Sequence, residues 1–354
     1  MEVYMQTENK FLSPALIRKG LIITLIIGLF TMGGLIISST TADTWHSLLR
    51  IHPKNILIML GVVVLSWLVE GLRVKTIAHL LGEKISFPDT LRINLASIFS
   101  GNITPLNSGT IPTQVYLLHQ QGISIGKATA IVTIRLTFTS LLLVIGGPLL
   151  LFIFRGKILE EIGLSSIAGL VDYILLLALL FSAFLVFLLL RPNKGEHLIR
   201  GLFQLKLSKK LLGSKAESFC QRTISEVKEF HTCLGIVFRE KTLSVFFVLL
   251  LTVCSWISTL SVAPAVLLGF GVNINGKIFR ILLLQFVIQF FLSFVPIPGG
   301  SGLAEIGFFS IFSKYLPKHL QAISVALWRL LSYYLNIFVG GVCFVRLFSG
   351  KQEK

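Results

Sequence analysis

Six long apolar runs constrain this chain more than any other feature: Leu21–Ser38, Ile56–Leu72, Thr129–Phe154, Val171–Leu190, Leu243–Phe270 and Gln321–Phe348. Each is long enough to cross a hydrocarbon core as an α-helix, which takes about 20 residues. Composition agrees. Of the 354 residues 54% are hydrophobic and 14% charged, and mean hydropathy is +0.83. A soluble chain of this length needs more polar surface to cover its core. Met1–Gly20 is polar, and no small-residue cleavage site follows Leu21–Ser38, which therefore reads as a retained first helix.

Two further apolar segments, Leu91–Leu118 and Ile281–Phe312, are interrupted midway. The first is broken at Thr104-Pro105-Leu106-Asn107-Ser108-Gly109. The second is broken at Val295-Pro296-Ile297-Pro298-Gly299-Gly300-Ser301-Gly302. Loop charge fixes how these breaks lie. Arg18 and Lys19, then Arg73 to Arg92, then the basic stretch Arg191–Lys241, and finally Lys351 and Lys354 all fall on one side if cytosolic. The chain is then inside at Arg73 and inside again at Lys127. Leu91–Leu118 must therefore enter and leave on the cytosolic face, and Ile281–Phe312 on the outer face. Both read as re-entrant hairpins, or as pairs of short spans.

An ordered set of matches points to an internal repeat. Ser66-Trp67 recurs as Ser255-Trp256. Pro105, Gly109 and Gln114 recur as Pro296, Gly300 and Glu305. Ala128 and Arg135 recur as Ala322 and Arg329. The expectation is one all-α integral membrane domain over 1–354, with about six full transmembrane helices plus two broken re-entrant hairpins. Its inverted repeats cover 21–154 and 171–348, with a cytosolic insertion at 192–241. That insertion has the mixed-charge pattern of an amphipathic helical hairpin and is too short for an ordinary catalytic domain.

The formal net charge of +16 resides in loops between apolar runs, which positive-inside topology and anionic headgroups account for. No nucleic-acid module is visible. Cys220, Cys233, Cys254 and Cys343 form no metal-spaced cluster, so neither a disulfide nor a metal or other cofactor is expected. The sequence holds no GxSxG elbow, HExxH, Walker A or DxxD pair, so no catalytic residues are nominated and an enzyme is not the favoured reading.

Broken helices in a membrane leave backbone groups that need protein partners or a polar cavity. One break alone is as consistent with a packing kink as with a site; two at matched positions favour a site that both faces can reach. Half-helix N-termini there present N–H donors to an anion such as a lipid phosphate. Arg135 and Arg329 lie within apolar runs, where a guanidinium faces a cavity, finds a partner or snorkels; it also suits bidentate phosphate binding. Glu305 needs a partner at its depth. Arg329, a cationic headgroup or a relayed proton are the alternatives. Glu70 and Arg73, at i and i+3, read as a local surface pair. Gln114, Asn102 and Asn107 either line the cavity or satisfy freed backbone.

The first break, with Pro112, Gln114 and Tyr116-Leu117-Leu118 after it, resembles the first signature of the flippase-like family of the lysylphosphatidylglycerol synthase transmembrane region. The P-x-P-G-G-x-G-x-x-E run from Pro296 to Glu305 resembles its second, more specific signature, and the likeness spans roughly Gly20 to Phe348. Phe138 stands where an Asp often follows the first-repeat arginine by three positions. The resemblance implies a membrane module that moves lipids between leaflets. In the multiple peptide resistance factor that module flips aminoacylated phosphatidylglycerol, and a separate cytosolic domain makes the lipid. The chain runs to Lys354, just past its last apolar run, so the aminoacyltransferase domain and lysylphosphatidylglycerol synthase activity are not expected.

The reading is a lipid translocase of the cell membrane with both termini cytosolic, moving an anionic or aminoacylated phospholipid or a lipid-linked precursor. Its expected headgroup site comprises Arg135, Arg329, Glu305, Gly299, Gly300, Gly302, Pro296, Pro298, Pro105, Ser108, Gly109 and Gln114. Anionic phospholipids are the expected partners, nucleic acid is not, and self-association is left open. The alternative is a membrane scaffold or accessory subunit that docks a lipid-modifying enzyme through Arg191–Lys241.

Overall fold

A computed structural model describes residues 51–156 and 242–349 except Phe294 and Pro296, with a few single positions elsewhere. Every regular element among the described residues is a helix, and four of these helices are long and apolar enough to cross a membrane. They are Pro53–Leu80, Ile125–Ile153, Val245–Gly269 and Lys318–Ser349, and each contains most of an expected run. The expected spans Leu21–Ser38 and Val171–Leu190 and the insertion 192–241 lie outside the described residues, save isolated positions.

Among the described residues, helices are numbered in order: α1 (Pro53–Leu80), α2 (Phe87–Asn102), α3 (Thr110–Gln120), α4 (Ile125–Leu141), α5 (Gly147–Ile153), α6 (Thr242–Leu260), α7 (Val262–Gly269), α8 (Ile278–Leu292), α9 (Leu303–Phe312), α10 (Lys318–Arg329) and α11 (Leu335–Ser349). A turn of π-helix joins α4 to α5 at Leu142–Gly146, and another joins α10 to α11 at Leu330–Tyr334. The chain forms two compact units. One comprises Met1–Val132, Glu160–Ile162 and Leu250–Lys354, the other Thr133–Leu159 and Gly163–Leu249.

Within the first unit, α2 is the central element and packs against α1, α3 and α11. The approach to α11 is close because Gly340 has no side chain: a Cβ there would sit 2.5 Å from the Leu95 carbonyl. Helix α7 packs on α1, α8 and α10, and α9 lies between α8 and α10. Phe308 stacks on Trp328 at 4.6 Å between ring centroids and tilts against Phe312 at the same spacing, filling the α9–α10 contact. Leu57, Leu65, Phe291 and Phe338 remain exposed, at 50–71% of their surface for each. In a helix bundle this apolar, such side chains face lipid rather than water.

The two breaks share one backbone design. Proline bars its predecessor from helical geometry, and Thr104 (φ −116°, ψ 146°) and Ile297 (φ −107°, ψ 132°) are both extended. A single 3₁₀ turn follows in each, Pro105–Asn107 and Pro298–Gly300. Its last two residues are left-handed in both: Leu106 and Asn107 in one, Gly299 and Gly300 in the other. Helix then resumes with glycine at the N-cap, Gly109 or Gly302. This corrects the register read from sequence. Conformation pairs Pro105 with Pro298 rather than Pro296, and Gly109 with Gly302 rather than Gly300. The Pro-x-Pro of the second break offers two prolines to match, and Pro298 stands at the head of the turn. Glu305 is then third in its helix, a place held in α3 by Pro112, not by Gln114.

Candidate functional site

The first break, the inner one if loop charge sets the topology, is closed by hydroxyl groups. Thr104 Oγ1 lies 2.9 Å from the Ser100 carbonyl, to which it donates, and accepts the Gly109 N–H at 2.8 Å. Ser100 Oγ donates to the Gly109 carbonyl at 3.1 Å and accepts from Thr113 Oγ1 at 2.8 Å. Thr104 and Ser100 thereby satisfy backbone groups freed where α2 stops and α3 starts, and Thr113 holds the Ser100 hydroxyl. A Cβ on Gly109 would lie 2.6 Å from the Ser100 carbonyl, so glycine lets α3 start close against the end of α2. Pro105 and Ser108 are exposed at the turn, while Gly109 and Gln114 are buried.

The second break, the outer one by the same reasoning, is closed by an ion pair. Glu305 is 0% and Arg329 4% exposed. Arg329 Nε donates to Glu305 Oε1 at 2.8 Å, and Nη2 donates to the Gly299 carbonyl at 3.1 Å. Glu305 Oε2 accepts the Gly302 N–H at 2.6 Å, capping α9 from within its own first turn. The α9 N-terminus is therefore occupied by a carboxylate that complements the helix dipole. Of the alternatives for Glu305, the structure has the pairing with Arg329. Such a pair is held in place because loss of either member strands a buried charge.

The two breaks touch. Tyr333, in the π-helical turn that follows Arg329, spans them. Its ring centroid lies 4.8 Å from the Arg329 guanidinium, within cation–π range, and its hydroxyl donates to the Asn102 carbonyl at 2.9 Å. A Cβ on Gly299 would collide with the Tyr333 ring. π-Helical turns often sit at functional positions because they redirect side chains from the regular face.

The structure thus joins Arg329, Glu305, Gly299 and Gly302 directly, with Pro298 and Gly300 in the same turn and Pro105, Ser108 and Gly109 in the turn that meets it. Pro296 is outside the described residues. Arg135 belongs to the other unit, where it is buried and its carbonyl accepts from Thr139. Sequence reasoning missed Tyr333, whose i, i+4 spacing from Arg329 was the available signal. It also misjudged Arg73. The Glu70 pair forms, at 3.1 Å, but Arg73 is 1% exposed and is a buried cation rather than a surface one. The Arg73 side of α1 packs into protein, which an apolar-run count does not reveal.

Residues 20–340 match the family described as the lysylphosphatidylglycerol synthase TM region. A UPF0104 membrane protein from Archaeoglobus fulgidus (strain ATCC 49558 / DSM 4304 / JCM 9628 / NBRC 100126 / VC-16) is 27% identical over 302 residues, which cover 84% of this chain and 88% of that protein. The family match covers most of the sequence, including both breaks and the Glu305–Arg329 pair. This chain belongs to the lysylphosphatidylglycerol synthase transmembrane-region family and is a multi-pass helical membrane protein.

Proposed function

We propose that this chain is a lipid translocase that passes a headgroup between leaflets at the junction of its two helix breaks, with the acyl chains remaining in lipid. The observation that carries the reading is the contact between those breaks, each built by Pro and left-handed backbone and each sealed by buried polar side chains. Irregular backbone at membrane depth is tolerated where it is enclosed in protein or lines a polar cavity. Paired broken helices are the usual place where transporters bind cargo.

In this reading the chain is one domain in the cell membrane with cytosolic termini. Six helices span it, and Leu91–Leu118 and Ile281–Phe312 are re-entrant hairpins from opposite faces. The repeats 21–154 and 171–348 are inverted, and 192–241 lies against anionic lipid. Arg329 and Glu305 hold the outer break by the Gly299 carbonyl and the Gly302 amide. The glycines at 299, 300, 302 and 109 let the breaks fold tightly enough to meet at that site. Gln114 and Ser108 offer hydrogen bonds.

The test is leaflet exchange in vesicles carrying the purified chain and chemically quenchable fluorescent phospholipids. Acceleration over empty vesicles is expected, with loss in Gly300→Leu and partial loss in Arg329→Lys, which keeps the charge but not the fork. Exchange no faster than in empty vesicles sinks the translocase and leaves the scaffold reading.

A further inference from the structure

We infer that the two hairpins recognise an uncharged, hydroxyl-rich headgroup moiety, glycerol or sugar, through buried carboxamides beside each break. The inference rests on the translocase reading and names the class of lipid. Asn94 lies on α2 about two turns before the inner break, and Gln285 lies on α8 about two turns before the outer one. Gln114 lies in α3 just past the inner break. Asn94 and Gln114 are 0% exposed and Gln285 is 4% exposed. Neither amide atom of Asn94 or of Gln114 has a hydrogen-bond partner among the described residues, nor has Oε1 of Gln285.

Buried amides without partners oppose folding, and leucine or methionine would fill the same volume without that penalty. Asn94 and Gln285 each lie about two turns before the end of the helix that runs into a break, and Gln114 about one turn past one, which ties them to the breaks rather than to one packing accident. A carboxamide both donates and accepts. A hydroxyl does the same and can satisfy it fully. A phosphate oxygen only accepts and an ammonium only donates, so each leaves half of the amide unpaired.

Charge points the same way. Between Arg92 and Lys127 the sequence has no Asp, Glu, Lys or Arg. At the outer break Glu305 and Arg329 neutralise each other, and both carboxylate oxygens are engaged. A cationic aminoacyl group or a phosphate monoester therefore meets no unopposed counter-charge at either break, whereas a polyol needs none.

Native mass spectrometry of the purified full-length protein tests this with four lipids: phosphatidylglycerol, a galactosyl diacylglycerol, phosphatidic acid and phosphatidylcholine. The first two should be retained at least about tenfold better, the worth of one hydrogen bond of ~1.4 kcal/mol. Asn94→Leu with Gln114→Met should bring the preference close to unity while the melting temperature holds or rises, since unpaired amides have been removed. A fall in melting temperature with the preference intact would make these amides structural and overturn the inference. Gln114→Met alone keeps the length but removes donors and acceptor; a preference retained there also overturns it, even if the double variant does not fold. Equal retention of all four lipids by the unmodified protein does the same. The two readings separate in vesicles. Selective binding without leaflet exchange sinks the translocase and leaves the site, while exchange indifferent to headgroup sinks the site and leaves the translocase.

Discussion

The Tyr333 hydroxyl donates to the Asn102 carbonyl at 2.9 Å, joining the last span of the chain to the end of the helix that runs into the inner break. The same ring packs on Arg329 and blocks any side chain at Gly299. One residue therefore contacts both breaks. Tyr333→Phe keeps the ring and removes the bond. It should lower stability by about 1 kcal/mol and slow leaflet exchange more than that loss accounts for. Thermal unfolding in detergent and vesicle exchange on one preparation measure both; unchanged exchange would remove Tyr333 from the working parts.

The Glu305–Arg329 pair should behave as a unit. Glu305→Ala or Arg329→Ala alone strands a buried charge and should destabilise by ~3–5 kcal/mol. The double variant Glu305→Leu with Arg329→Met should recover most of that stability but not exchange. If the double variant is as unstable as the singles, the pair contributes through geometry that apolar side chains do not replace.

Gly299 and Gly276 separate backbone strain from steric contact. Both have positive φ, 59° and 69°, but only Gly299 faces a ring, and nothing lies within 4 Å of a Cβ on Gly276. Gly276→Ala should cost about 1–2 kcal/mol through left-handed geometry alone. Gly299→Ala should cost a further ~1–3 kcal/mol because Tyr333 must move. Equal melting shifts for the two would contradict the packing described.

The inner break depends on one hydroxyl. Thr104→Val leaves the Gly109 N–H without its acceptor and should destabilise by ~1–3 kcal/mol, whereas Thr104→Ser should be nearly neutral. Chemical unfolding of both variants, read against the unmodified chain, checks the contrast.

Topology is open to direct labelling. Loop charge places 192–241 in the cytosol and the exposed turn around Asn275 on the opposite face. Single cysteines replacing Ser208 and Asn275, in a background without native cysteines, should react with an impermeant maleimide from opposite sides of intact cells. Reaction from one side only would undo the re-entrant arrangement of both hairpins.

Much of the helical plan was legible because apolar length is a coarse, additive property. Ile56–Leu72 became α1, which continues into Arg73–Leu80 because Arg73, Val74, Ile77 and Ala78 are buried. Leu243–Phe270 divides at Ser261, since Pro264 cannot donate to Leu260 and a new helix begins at Val262. The Glu305–Arg329 partnership was legible because a carboxylate at that depth demands a cation. Tyr333 was not, since an aromatic residue in an apolar span looks the same whether it meets lipid or a guanidinium. The hydroxyl clamp of Ser100, Thr104 and Thr113 was equally hidden: these residues occur throughout membrane helices, and only their meeting across the hairpin distinguishes them.

The ion pair at Glu305 and Arg329, set beside an inner break free of ionisable residues, has an electrical consequence. A unit charge carried across a membrane potential works against ~2.3 kcal/mol per 100 mV. A carboxylate and a guanidinium that move together carry none, and hydroxyls carry none. If the two breaks rock between leaflets, as the proposed translocase requires, that motion is decoupled from the membrane voltage, and any voltage dependence contributed at the breaks enters with the charge of the cargo.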